Sequence, residues 1–417
     1  MIKSSCTRLT LCLTAAGLLA ATGTACSETD NRINSGMSNV RHIEPNSETG
    51  TSLAAVVENG PLAFTNQLFP FDAAGNLVGR DDLAIQVDQV LNNMETALEE
   101  AGTGPGNLVR IHVYASDDAY SEDILRLIGQ KLPDATNPAV TFVTGNPPYQ
   151  GVLVSMDAIA VAPQDGTSRR VARYHTTELY GPENQSHVAV LSAGRKLFIS
   201  GQAEVDETLE GAASGTMQGL LATLAYAGAN ADDIVQIKAF VSPVDDMESV
   251  EEMIASFFRG NTSPPVISVE WFHDSFPTEI ELVAAAPEIL RTDHTVSYYA
   301  PPWMTQAATF SRVTDVQKGD LLFTSSLYGE PGENGENQAR RIFDTLSRVL
   351  DAAGSDYDHL LKATYYASSD EGADGLRNVR TDFYNPERPP AASLAEIRGT
   401  GRAGTDISVD MIGVIPE

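Results

Sequence analysis

The stretch AYAGANADDIVQIKAFVS at residues 225–242 decides the fold, because it occurs twice more in altered form. EEAGTGPGNLVRIHVYAS fills residues 99–116 and DAAGSDYDHLLKATYYAS residues 351–368, so their terminal serines Ser116, Ser242 and Ser368 stand 126 residues apart each time. Gly102, Gly228 and Gly354 keep that step, as do Pro138, Pro264 and Pro390 in NPAVT, SPPVIS and PPAAS. Independent landmarks on one spacing mark a tandem triplication.

Each copy has the same predicted layout. An extended run comes first (from Val40, Val171 and His294), then two further strands, the last of them LAFTNQ, KLFISGQ or LLFTSS. An amphipathic helix follows. In the first copy its apolar stripe is Leu83, Ile85, Val87, Val90, Leu91, Met94 and Leu98, and Gly102 sits where a helix stops. The repeated strand, a second helix (249–258 in the second copy), the proline loop and a last hairpin such as VISVEWF with EIELVAAA complete the unit. This order is α+β, with helices on one face of a mixed sheet. The bare sheet faces of three such units are expected to bury one another in an intramolecular pseudo-trimer, sheets inward and helices outward.

Other regions are different in kind. Lys3 and Arg8 precede an apolar run at residues 9–21, too short to span a membrane, and GTAC then leads to Cys26. This reads as an export signal over residues 1–25. GTAC resembles a bacterial lipobox, with Gly23 where leucine is usual, and implies lipidation of Cys26; ordinary cleavage near Ala25 is the alternative. Cys6 and Cys12 lie inside the signal, so Cys26 is the one cysteine of the processed chain. Residues 26–38 form a polar tether, and the copies are expected at 39–164, 165–288 and 289–417. The chain is thus placed in the bacterial cell envelope, held by its lipid, or else secreted or periplasmic. The charge of -29, from 56 acidic and 27 basic residues, argues against nucleic acid and against docking on anionic lipid.

KLFISGQAEV, the AGA-x-x-DDIVQIKAFV run, SFFRGNTSPP and EIELVAAAP resemble the RidA (YjgF-like, reactive intermediate deaminase) family. The second copy matches best and the first least. The resemblance implies a chorismate-mutase-like fold, clefts between units, and an arginine two positions after the loop proline that clamps a substrate carboxylate. Val140, Val266 and Ala392 occupy that position here. It also implies a water-positioning glutamate on the last strand, where the register gives Ser155, Glu279 and Ser408. Glu279 is thus the one candidate acid or base. The family's signature serine corresponds to Thr65, Ser200 and Ser325, and a pocket-lining position to Leu53, His187 and Arg312. Val266, His187, Arg312, Thr65, Ser200 and Ser325 are accordingly the expected ligand contacts.

Several other signals fail on context. GTGRAG at residues 399–404 joins two strands, not a strand and a helix, so it is a hairpin loop and not a dinucleotide site. The seven histidines show no metal spacing, and no metal or other cofactor is expected. SYYAPPW at residues 297–303 reads as packing at a join between copies. The expected function is binding of a small metabolite at inter-copy clefts without standard imine deaminase activity, by a monomeric chain. The alternatives are a hydrolase or deaminase acting on an enamine- or imine-like compound through Glu279, and a structural or protein-binding envelope module.

Overall fold

The computed structural model describes residues 40–163, 169–258, 260–273, 275–288 and 294–416. The signal, the tether and Cys26 lie outside them. The described residues fall in one compact unit. Among the described residues, no helix is long and apolar enough to cross a membrane.

One order of elements runs three times. The first run is β1 (Arg41–Asn46), β2 (Thr51–Val57), β3 (Leu62–Thr65), α1 (Leu83–Glu100), β4 (Leu108–Ala115), α2 (Ser121–Lys131), β5 (Ala139–Thr144) and β6 (Val154–Val161). The second is β7 (Val171–Tyr174), β8 (Val188–Leu191), β9 (Lys196–Gln202), α3 (Leu209–Tyr226), β10 (Ile234–Val241), α4 (Met247–Ser256), β11 (Val266–Glu270) and β12 (Thr278–Ala285). The third is β13 (Val296–Tyr299), β14 (Val313–Val316), β15 (Asp320–Thr324), the short β16 (Leu327–Tyr328), α5 (Gly335–Ala353), β17 (Leu360–Ala367), α6 (Asp370–Val379), β18 (Ala391–Glu396) and β19 (Ile407–Ile415).

The repeated glycines do what their position requires. Gly102, Gly228 and Gly354 have φ of +73°, +86° and +86°. The residue after each donates back into the last turn, as in Thr103 N to Leu98 O, Ala229 N to Leu224 O and Ser355 N to Leu350 O. A side chain is costly in this left-handed conformation, and the chain turns there into the repeated strand. The proline loops then start β5, β11 and β18, each parallel to that strand, with Val140, Val266 and Ala392 opposite Ile111, Ile237 and Ala363.

The expected last hairpin does not form: β11 and β12 flank β10 on its two sides, as β5 and β6 flank β4 and β18 and β19 flank β17. The first hairpins pair across runs. Each hairpin lies not on its own third strand but on that of another run: β8 on β3, β14 on β9, and β2 on β15. In VAVLSAGRKLFISGQ, residues 192–195 carry the chain from the pairing of β8 on β3 to that of β9 on β14. Arg195 pins this crossing. Its buried guanidinium donates twice to Asp315 of β14, from Nε at 2.8 Å and from Nη2 at 2.6 Å.

Apolar side chains form three clusters in which a helix pair packs on a sheet, with Val90, Met94 and Ile124 in the first, Met217, Leu220 and Ile254 in the second, and Ile342, Leu346 and Leu376 in the third. Ile85, expected in the apolar stripe of α1, faces outward. A fourth draws on all three runs, among them Val57, Phe64 and Val109, then Phe198 and Val235, then Phe323 and Leu361. A fifth joins Val143, Phe240 and Tyr366. Between these last two along the middle strands lies a layer of buried charge. Arg110 pairs with Asp410, and His112 lies 3.1 Å from Asp157 and 3.6 Å from Asp410. Lys362 pairs with Glu281 at 2.5 Å, Tyr114 donates to Asp157 at 2.8 Å, and Lys238 reaches the Tyr366 hydroxyl at 3.4 Å. Burial alone would raise the Asp157 and Asp410 carboxyls. His112 for Asp157, and Arg110 with His112 for Asp410, outweigh it and hold both below the usual range.

Candidate functional site

The loop-proline positions sit where two runs meet, and side chains at the C-terminal end of another run's third strand hold each of them. Asn66 Oδ1 accepts from Val266 N at 2.9 Å, Ser200 Oγ from Ala392 N at 2.7 Å, and Ser325 Oγ from Val140 N at 2.7 Å. The two serines also donate, Ser200 to Ser311 O at 2.5 Å and Ser325 to Ser52 O at 2.6 Å. Their hydroxyls are therefore occupied as clamps between runs. Thr65 is occupied within its own run, accepting from Ala158 N at 2.9 Å and donating to Asn66 O at 3.0 Å. The structure thus brings Thr65, Ser200 and Ser325 to equivalent places but spends all three on the protein.

The three clefts are chemically different. Between the first and second runs lies a cavity of about 440 Å³ lined by Gln67, Phe69, Phe71, Tyr149, Tyr180, His187, Glu251 and Val266. His187 stacks on His175 at 4.6 Å between ring centres. Thr176 N donates to its Nδ1 at 3.3 Å, which leaves the proton on Nε2, 3.3 Å from Tyr180 O. Burial, and then His175, lower its pKa to about 4, so its ring is neutral at neutral pH. Between the third and first runs is an open cleft of about 510 Å³ with Leu53, Val140 and Ser325 on its walls.

Glu279, Arg312, Ser200 and Ala392 converge where the second and third runs meet. The reason is local. The residue after the signature serine is Asn66 or Ser326 in the other runs but Gly201 here. A Cβ on Gly201 would lie 2.0 Å from Glu279 Oε1, so the carboxylate occupies the space a side chain would take. Among the described residues, Glu279 Oε1 is buried without a hydrogen-bond partner, and so is Arg312 Nε, whose guanidinium lies 4.8 Å over the Phe310 ring. Burial, then the neighbouring Glu281, raise the Glu279 pKa to about 7, with Ser393, Lys362 and Arg312 acting against them. The group can thus hold or release a proton near neutral pH.

Glu251 escaped the sequence reading. It lies on α4, accepts from Ser268 Oγ at 2.9 Å, and burial raises its pKa to about 7. The available signal was its helix: Glu251 follows the apolar Val250 on the face toward the proline loop, where a solvated glutamate is not required.

A stability prediction follows from these two carboxyls. Both bind a proton more tightly in the folded chain than in the unfolded one, so their contribution is full below about pH 4.5 and is lost as pH rises through about 7. His187 acts in the opposite sense, but below about pH 6.5, and Lys196, lowered by burial to about 8, acts above that value. Between pH 6.5 and 8, unfolding stability should fall by on the order of 1 kcal/mol per carboxyl. Glu279→Gln should remove roughly half of that slope. Urea unfolding at the two pH values reads it; an unchanged slope in the variant would count against the buried, protonated Glu279.

Comparison with known proteins fits this geometry. A family model described as endoribonuclease L-PSP matches residues 45–162 and 181–286. The chain belongs to the endoribonuclease L-PSP family. It is a tandem-repeat RidA-type member, and the two matched segments correspond to its first and second runs. The RutC family protein slr0709 of Synechocystis is 31% identical over 109 residues, covering 26% of this chain and 84% of its own. The RutC family protein YjgH of Escherichia coli is 29% identical over 108 residues, covering 24% of this chain and 81% of its own. Among solved structures, a conserved Rid-family protein of unknown function from Yersinia pestis, YyfB, is 26% identical, with 30% of this chain and 98% of that one covered and a TM-score of 0.26.

Proposed function

We propose that this family member binds a small molecule at its inter-copy clefts and lacks the carboxylate-clamping chemistry of its active relatives. The carrying observation is the pairing of a roughly 440 Å³ cavity with Val266 at the position where the family's guanidinium is expected. Val140 lines the second cleft and Ala392 the third meeting point, so no copy supplies that clamp. A methyl-bearing side chain offers no bidentate contact to a carboxylate. We further propose that the three runs form an intramolecular pseudo-trimer with sheets inward. Support comes from the cyclic hairpin pairing and the shared apolar clusters. Export, lipidation at Cys26 and an envelope location complete the proposal, on the strength of residues 1–26. The acidic surface, the -29 charge and the absence of a basic stripe in the sequence set ribonuclease action aside.

Glu279 favours a second reading, proton transfer on an imine- or enamine-like compound. Its unpartnered, buried oxygen stands beside Arg312, a guanidinium brought in by β14's leading residues instead of the proline loop. A ligand panel screened by thermal shift on residues 27–417 tests binding, since a true ligand raises Tm by mass action. Hydrolysis of a 2-imino acid that Glu279→Gln lowers by at least about 100-fold would establish the second reading over the first.

A further inference from the structure

The cavity between the first and second runs has a composition of its own. Its aromatic wall forms a corner: Tyr149 meets Phe69 at 5.0 Å and 87° and Phe71 at 5.2 Å and 81°, and Tyr180 meets Phe71 at 5.4 Å and 72°. All four rings line the cavity, and an aromatic ring carries negative charge density on its faces. Helix α4 lines the cavity with Glu248, Glu251 and Glu252, and Glu248 is hydrogen-bonded to Tyr149 of the aromatic corner. Among the described residues, no lysine or arginine lines the cavity.

Among the described residues, the Glu251 carboxylate receives neutral donors, Ser268 Oγ at 2.9 Å and the Gln185 side chain. Asn66 and Gln67, which face it from the first run, are held by the backbone of β11: Asn66 Oδ1 by Val266 N and Gln67 Oε1 by Ser268 N, both at 2.9 Å. A carboxylate that is partly desolvated without a cation is costly when ionised. A positively charged ligand relieves that cost, and the aromatic corner attracts the same charge. An anionic ligand meets three carboxylates and π faces, and is rejected.

We propose that this cavity is a site for a small organic ammonium ion, its charge placed between the Glu251 carboxylate and the Phe69–Phe71–Tyr149 corner. The inference rests on the reading that the clefts bind small molecules, and it deepens that reading for one cleft by naming the ligand class.

Choline and its neutral carbon isostere 3,3-dimethyl-1-butanol are probes of one shape and different charge. Isothermal titration of each into the full processed chain at pH 8 reads the proposal. Choline should bind at least about tenfold more tightly than the isostere, a gap expected for a charge in a partly desolvated aromatic site. Glu251→Gln keeps the shape and the Ser268 contact and should close most of that gap. Ala255→Phe, which fills the cavity from the same helix, should abolish binding of both probes; unchanged far-ultraviolet circular dichroism checks that each variant is folded. Equal affinity for the two probes, or choline binding untouched by Glu251→Gln, overturns the ammonium assignment. If Ala255→Phe then still removes the binding, the cleft remains a small-molecule site and only the ligand class fails. If neither probe binds and the broad ligand panel is also silent, both readings fail together.

Discussion

Arg110→Ala is expected to lower the stability of the folded chain by about 3–5 kcal/mol, the cost of stranding one partner of a buried ion pair. Arg110 is 1% exposed and Asp410 2% exposed, so water does not readily take over the lost contact. The pair also joins the first run to the third, with Arg110 on β4 and Asp410 on β19. Removing the guanidinium leaves Asp410 with His112 at 3.6 Å and the more distant charge of Lys238. Equilibrium urea unfolding measures the loss. Replacing both residues together with apolar ones of similar volume should recover much of it, because the pair's own desolvation cost disappears as well. A single substitution costing less than about 1 kcal/mol would show that the layer is wetter than its burial indicates.

The second large effect concerns the first hairpin. A chain lacking residues 41–57 loses β1 and β2, and with them the partner of β15, which pairs Leu321 to Thr324 with Val57 to Ala54. Ile43, Val56 and Val57 are 5%, 4% and 1% exposed. Burying such a side chain contributes roughly 1.5–3 kcal/mol, so the three together account for something on the order of 5 kcal/mol or more as an upper estimate. The strand edge left open also exposes Leu321 and Phe323, which are now buried. An unpaired apolar edge is a template for another chain. The truncated protein should therefore melt well below the full one and self-associate with rising concentration, which calorimetry and sedimentation velocity would show. A monomer with unchanged Tm would mean that the hairpin is an accessory to the fold.

Much of this architecture was legible in the residues. The 126-residue step, the helix-ending glycines and the proline-started strands each have a local physical cause, and local causes survive in sequence. The Glu279 register was legible too, since Phe240 lies opposite Glu279 as Tyr114 lies opposite Ser155. The hairpin exchange was not. β3, β9 and β15 offer similar apolar edges, so pattern alone cannot say which one VAVL at residues 188–191 will take. Nor was the charged layer, for a related reason. Bulges between Leu108 and Arg110, Ile234 and Gln236, and Leu360 and Lys362 break the alternation, so Val109 joins the apolar cluster while Arg110 beside it joins the charges. A period-2 reading across a bulge assigns one of the two to the wrong face. The clamping serines show a third limit: a hydroxyl's chemistry is visible in sequence, but whether protein or ligand uses it depends on what lies opposite.

Gly201 has a consequence for symmetry. In an assembly of three identical chains, a change from a side chain to hydrogen happens at every interface at once, and every carboxylate admitted by it comes in triplicate. Fusion into one chain removes that constraint. Asn66 and Ser326 keep their side chains while Gly201 alone gives up its own, and Glu279 enters a single interface. Each such change breaks the equivalence of the sites without disturbing the strand pairing that all three share. The binding proposed above should therefore show unrelated affinities at the distinct clefts, where three identical interfaces would show equal ones.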